Sequence, residues 1–414
     1  MQTEQLQRPK FAEQEFAFRY LFPADARVQR WPLDAFEQQL HFAPPAPPYE
    51  AGDAEDLEPI YRGISAGVVP PAGLRARLLC ALLAIHVPTN ITPFGIYGRH
   101  GSYPSPRAYY PLMFTLIDRE RAHVCWIDPV ALQLVPLASA ISRGTAPLAL
   151  KLGVNFEVYD ALYNLFRKSL FALEAGHFFA ELTELGNALG FTATLVFDDA
   201  GMRAEITDQS EAPVSATALQ AHQDYARSRN SSHFGYGLYP VRYPLAGTEL
   251  AALYQALRVA LTAAQQQFPL TVQYPISIRI CLHAAAEQAA GIYALESDGL
   301  RCVSDLDPFE ACETFYNYPN FNVSNATALV FLGVERSVFA LSDTQFIALN
   351  CALGFIAQYL IRYATGLALF ARPFRSYDQH GMDRLLQFNV ESQMTYYGVM
   401  LGKNRCAQHI GVLR

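Results

Sequence analysis

Leu173-Glu-Ala-Gly-His-Phe-Phe-Ala-Glu-Leu-Thr-Glu-Leu-Gly-Asn-Ala-Leu-Gly190 reads as a long apolar helix, and the chain repeats its design at Leu349-Asn-Cys-Ala-Leu-Gly-Phe-Ile-Ala-Gln-Tyr-Leu-Ile-Arg-Tyr-Ala-Thr-Gly366. In both stretches small residues line one face, the large apolar ones recur at helical spacing, and a Gly stands where a helix would stop. A helix of this kind occurring twice makes duplication the first thing to look for, because an internal repeat constrains a fold more than any local motif.

Working outward, each long helix is preceded by the same parts. An apolar helical run at Leu74–Ile85 leads to Pro104-Ser-Pro-Arg-Ala-Tyr-Tyr-Pro111 and the strand-like Leu112–Ile117. A run at Leu250–Ala264 leads to Phe268-Pro-Leu-Thr-Val-Gln-Tyr-Pro275 and the strand-like Ile276–Leu282. A hairpin follows each, turning at Asp128-Pro129 and at Asp298-Gly299. Shared order predicts an α+β fold of two related halves. The polar stretch Asp208–Ser215 divides them into 49–207 and 208–414. Before them, Phe42-Ala-Pro-Pro-Ala-Pro-Pro-Tyr49 is a stiff linker, which sets residues 1–48 apart as an arm. That arm carries Phe11, Phe16, Phe18, Leu21 and Phe22, and reads either as a docked extension or as a binding surface for a partner or substrate peptide.

Composition bounds the function. At 51% hydrophobic and 17% charged, the 414 residues are too apolar for a disordered chain. A net charge of −7 gives no drive toward a polyanion, so nucleic acid is excluded as an expected partner. The seven cysteines, at 80, 125, 281, 302, 312, 351 and 406, are scattered without a C-x-x-C, and no His or Cys pair has metal-ligand spacing. With no secretory signal at the start and an apolar run near 78–87 about half the length of the ~20 residues a spanning helix needs, the chain reads as soluble and cytoplasmic. The fingerprints of dinucleotide, P-loop, serine-hydrolase and zinc-protease sites are absent.

Several pieces resemble the nitroreductase superfamily of FMN flavoproteins, and within it the streptolysin- and microcin-type azoline dehydrogenases. Pro104, Ser105, Tyr110 and Pro111 resemble that group's P-S-x-G-x-L-Y-P turn, with Arg107 in place of a small residue, and Glu174-Ala-Gly-His177 resembles its E-A-G-H helix start. The second half supplies Arg229-Asn-Ser231-Ser-His233-Phe, Gly354 with Gln358, and Gly402-Lys403-Asn-Arg405. In the other copy, the turn is Phe268–Pro275 and the phosphate segment is at best Arg62-Gly-Ile-Ser65.

The resemblance implies an intramolecular pseudo-dimer with one working FMN site between the halves and one degenerate site. It implies phosphate binding by Arg227, Arg229, Ser231, His233, Lys403 and Arg405, where Arg forks and a hydroxyl suit a dianion. Ser105 and Arg107 would line the ring edge, while Gly354 and Gln358, four apart, would share a helix face. Taken singly, each basic residue also reads as a surface charge, and Gly354 with Gln358 as a packed small residue beside an exposed amide. His177 reads as a core histidine and Tyr163 also as a core aromatic.

Azoline oxidation needs a base over the flavin, and the group places a Lys-Tyr pair ahead of E-A-G-H. Here Leu162-Tyr163 occupies that place, with Lys168 further on, so Tyr163 and Lys168 are the candidate catalytic residues. The resemblance further implies a modified, ribosomally made precursor peptide as substrate, dioxygen as reoxidant, and a cyclodehydratase or other biosynthetic subunits as partners. The alternatives are a reductase of nitro or quinone compounds and a flavin-free docking subunit.

Overall fold

The structure is a computed structural model that describes residues 33–45, 54–68, 73–91, 99–137, 144–158, 163, 166–198, 201–209, 216–232, 238–285, 288–317, 321–405 and 411–412. Two antiparallel sheets are built from it in the same way. In the first half, Leu112–Asp118 (β1), His123–Asp128 (β2), Gln133–Pro136 (β3), Leu148–Val154 (β4), Phe191–Asp198 (β5) and Gly201–Asp208 (β6) lie in the order β3-β2-β1-β4-β6-β5. In the second, Ser277–Leu282 (β7), Gly291–Leu295 (β8), Leu300–Ser304 (β9), Ala328–Glu335 (β10), Phe370–Phe374 (β11) and Gln393–Asn404 (β12) lie in the order β9-β8-β7-β10-β12-β11. Strand for strand, the two orders correspond.

The helices correspond as well. Leu74–His86 (α1) precedes β1, and Arg167–Ala188 (α2) connects β4 to β5. Ala216–Ser228 (α3) opens the second half, Gly247–Gln267 (α4) precedes β7, and Asp343–Gly366 (α5) connects β10 to β11. The central strand β10 is an unbroken apolar run because both its faces are covered. Val330 and Leu332 join the large core beneath the helices, whereas Leu329 and Phe331 pack with Phe309, Phe374 and Tyr377 in a second core.

The halves meet where α2 crosses α5. A Cβ added at Gly176 would stand 2.0 Å from the Cys351 carbonyl oxygen, and one at Gly354 would stand 2.0 Å from that of Leu173. Only glycine lets two backbones approach so closely. The contact is reciprocal, each glycine sitting on the carbonyl of the residue three before its counterpart, so Gly176 and Gly354 set a register. In that register Glu174 corresponds to Ala352, His177 to Phe355, and Ala180 to Gln358. Helix α5 is long and apolar enough to cross a membrane, but 78% of its apolar window is buried inside this protein.

Both long helices begin earlier than the apolar pattern indicates. At α5 the reason is a capping box, in which Ser342 and Gln345 each bond the other's backbone N–H. At α2, Arg167 forms a buried ion pair with Glu37, whose short helix Ala35–Leu40 is capped by Asp34. Residues 33–45 of the arm are thus docked on the first half, with Leu40 in the core and Phe42 N donating to Val154 O at 3.0 Å. The aromatic residues between 11 and 22 lie outside the described residues. At the other end of the chain, Gly411–Val412 pairs with Asn90–Ile91, so the second half closes by adding a strand to the first.

Candidate functional site

Where α3 ends, its chain is stapled to the loop that precedes β1. Tyr225 Oη donates to Ser102 O at 3.0 Å, and Asn90 Nδ2 donates to Ala226 O at 3.0 Å. Arg229 is buried and puts Nε and Nη2 on Gly101 O at 3.1 and 2.9 Å. The same segment is tied to the end of β12, since Ser232 Oγ donates to Asn404 Oδ1 and Asn404 Nδ2 donates to Asn230 Oδ1 at 3.2 Å. It also runs along β11, receiving a bond from Ala371 N to Asn230 O at 3.1 Å. Three stretches far apart in sequence, 99–111, 226–232 and 402–405, are therefore neighbours across the seam.

Backbone strain is present in two of them. Ala108 and Tyr110 have φ of 53° and 47°, and Ser232 has φ of 51°, conformations costly for residues with a side chain. In the Pro104–Pro111 turn that strain is held by side-chain bonds: Tyr110 N donates to Ser105 Oγ at 2.8 Å, and Tyr110 Oη donates to Tyr103 O at 3.2 Å.

Beneath the turn lies Glu174, 1% exposed. Its Oε2 accepts from Ser105 Oγ at 3.0 Å, while Oε1 has no hydrogen-bond partner among the described residues. Burial pushes this carboxyl well above its ordinary range, opposed by the Ser105 bond. Close by, His177 is satisfied on both sides, with Nδ1 2.9 Å from Gln358 Oε1 and Nε2 3.0 Å from Tyr397 Oη. Burial lowers His177 to about 3, so the ring is neutral. The Gln358 amide nitrogen donates to Glu181 and, at 2.8 Å, to Tyr225 Oη. Burial pushes Glu181 up, but the Arg362 guanidinium and then His222 overcome it, leaving the carboxyl below its ordinary value.

These contacts redistribute the residues the sequence singles out. Ser231, Lys403 and Arg405 lie on segments joined through Asn230, Ser232 and Asn404, Ser105 stands in the turn beside Glu174, and Arg229 faces inward as a tie to Gly101. Gln358 is fully buried and spent on His177, Glu181 and Tyr225, and Gly354 serves the helix crossing. Lys168 sits between Asp34 at 2.6 Å and Asp343 at 3.2 Å. Burial alone would lower its pKa, but the two aspartates raise it, a poor setting for a base. Tyr163 is half-buried against the core. Arg227 stands near Asp224 at 3.8 Å. His233 and Leu162 lie outside the described residues, and Arg107 is placed by its backbone in the 3₁₀ turn Pro106–Ala108.

Sequence reasoning passed over two cations. Arg372 donates to Ser231 O at 3.4 Å and lies 4.8 Å from the Phe321 ring centroid. Arg375 lies 4.3 Å from the Tyr396 centroid and donates to Ser169 Oγ. Two arginines in Ala371-Arg-Pro-Phe-Arg375, just past the helix-stopping Gly366, were the available signal. Lys403 Nζ stands 4.6 Å from the Tyr243 centroid, and Arg405 is exposed. Among the described residues Arg372, Lys403 and Arg405 have no carboxylate partner, so the donor chemistry at this end fits the phosphate of a ligand such as FMN.

At the corresponding place on the other side of the seam, aromatic rings fill the space. Phe268, in the turn equivalent to 104–111, lies 5.6 Å from Phe355, 6.2 Å from Phe179 and 6.3 Å from Phe197. Phe355 is the counterpart of His177.

Solved structures include a close architectural match. A candidate nitroreductase from Anabaena variabilis superposes with a TM-score of 0.64 at 13% identity, covering 89% of this chain and 99% of that one. The fold is nitroreductase-like; identity this low speaks to fold alone. Weaker matches are a candidate nitroreductase from Ralstonia eutropha (TM-score 0.32, 15% identity, 41% of this chain and 79% of that one) and the microcin synthetase McbBCD complex of E. coli with truncated pro-MccB17 bound (TM-score 0.27, 12% identity, 32% and 53%). No protein-family model and no curated protein matches the sequence.

Proposed function

We propose that the chain is an FMN-dependent oxidoreductase with one flavin site at the seam, residues 49–207 and 208–414 acting as its two halves. The observation that carries this is the convergence of the loop holding the strained Pro104–Pro111 turn, the 229–232 segment and the 402–405 strand end, with three cations at one end that have no carboxylate partner among the described residues. Arg372, Lys403, Arg405 and Ser231 hold the phosphate, with Arg227 beside them. Arg229, bonded to Gly101, keeps the two loops in register. Ser105 and Arg107 border the ring.

In its most specific form the reaction is azoline-to-azole oxidation on a modified, ribosomally made peptide, in company with a cyclodehydratase or other biosynthetic subunits. The support is the set of sequence signatures, the turn and E-A-G-H above all. Bound FMN would supply the two-electron acceptor, and dioxygen would reoxidise it. In this reading Tyr163 is the candidate to take the proton, while Lys168, held by two aspartates, keeps its own.

A visible absorption spectrum of the purified protein tests the proposal, followed by the identity and stoichiometry of the released cofactor. One FMN per chain is expected. Lys403→Ala should weaken FMN binding about tenfold, while Arg62→Ala, exposed and paired with Glu58 one turn away, should leave it unchanged. A colourless protein that stays so after reconstitution favours a second reading, a flavin-free docking subunit. The inward-turned Arg229 and the fully consumed Gln358 are the observations on its side.

A further inference from the structure

Glu174 Oε1 is a buried carboxyl oxygen at the seam with no hydrogen-bond partner among the described residues, and the amide oxygens of Asn90 and Gln223 are left in the same condition nearby. Glu174 Oε2 accepts the Ser105 hydroxyl proton, and the Ser105 oxygen accepts in turn from Tyr110 N. With Oε2 occupied as an acceptor, the proton of a neutral carboxyl falls on Oε1. That hydroxyl is a buried donor with nothing to donate to, which a folded protein tolerates poorly unless an occupant supplies the acceptor. The groups around it do not ionise it. Tyr110 has Arg229 behind it, Tyr397 has Arg375 nearby, and His177, one turn along α2, is neutral. On α5 the corresponding residue is Ala352, so the acid stands on one side of the seam only.

We propose that Glu174 is the neutral acid of this site, its Oε1 hydroxyl donating to a carbonyl or ring-nitrogen acceptor of the heteroaromatic ligand seated against the Pro104–Pro111 turn. The assignment rests on the flavin reading and deepens it, making Glu174 the residue that orients the ring while the cations hold the phosphate. A carboxylic acid suits this task because it donates without adding charge, whereas its ionised form would repel the same acceptor.

FMN is the probe, with Glu174→Gln and Glu174→Leu as variants. Glu174→Gln keeps a neutral donor of similar shape and guards against a merely unfolded result. Wild type should bind FMN more weakly as pH rises through the carboxyl's ionisation, and Glu174→Gln should lose that dependence. Glu174→Leu should bind about tenfold more weakly at every pH, with a shifted flavin absorption band. The infrared spectrum of the FMN-free protein at neutral pH should show a protonated-carboxyl band that is missing in Glu174→Gln. An ionised Glu174 at neutral pH, or Glu174→Leu binding FMN like wild type, overturns this assignment and leaves the flavin reading standing. Wild type that binds no FMN overturns both.

Discussion

The two sides of the α2–α5 crossing are built from corresponding elements and have been filled in opposite ways. One side carries Ser105, Glu174 and His177; the other carries Pro269, Ala352 and Phe355, with Phe268 and Phe179 packed alongside. Aromatic rings close their side, and none of Phe268, Phe355 and Phe179 brings a side-chain polar atom to satisfy. The polar side is closed only in part, since His177 finds Gln358 and Tyr397 while Glu174 Oε1 finds nothing. A duplicated frame thus separates what folding needs, the crossing itself, from what an occupant would need, the polar lining of one side.

The largest effect should come from the element both sides share. Gly354→Val places a side chain against the Leu173 backbone and should cost more than about 4 kcal/mol, leaving little soluble folded protein. Gly366→Ala, where an added Cβ meets nothing within 4 Å, is the control and should melt near wild type. A Gly354→Val protein that melts with the control would break the idea that the halves are set by this contact.

Next comes the aromatic side. Phe355→Ala empties a fully buried position and should cost about 3–5 kcal/mol in denaturant titrations. The bound FMN per chain should stay at one. Loss of FMN with stability unchanged would mean that the two sides have been assigned the wrong way round.

Acid should act on the polar side gradually, over several pH units. His177 and His222 are held neutral by burial, at about 3 and about 4 against 6.5 unfolded. Because the unfolded chain binds these protons more readily, their contribution is fully present above pH 6.5. It is lost as pH falls toward the folded values, at about 1.4 kcal/mol per pH unit for each ring. Thermal melts across that window should show the decline, and His177→Phe, which copies the other side, should reduce its slope. An unchanged slope would show that His177 is not one of the groups responsible.

Much of this frame was legible. Helical periodicity, the two Gly stops and the repeated helix-turn-strand-hairpin order pointed to two related halves, and the matching strand orders follow the same pattern. Of the candidate site, the family resemblance singled out the Pro104–Pro111 turn, Ser231 and the 402–405 end, and the structure ties the stretches that carry them to one another. The roles of Arg229, Gln358 and Lys168 were not legible. Arg229 is spent on a carbonyl 128 residues away, Gln358 on a carboxylate 177 residues away, and Lys168 on aspartates 134 and 175 residues away. Local pattern carries no information about such partners.

By itself, then, the amino-acid sequence determined the elements, their order and their repetition, because these follow from side-chain period, turn chemistry and capping within a few residues. Only the tertiary structure decided which of the described cations lack a carboxylate partner, which are consumed, and that the Glu174 carboxyl is buried with one oxygen unpartnered. Those outcomes depend on long-range distances and on exclusion of water, which arise only when α2 and α5 close on each other.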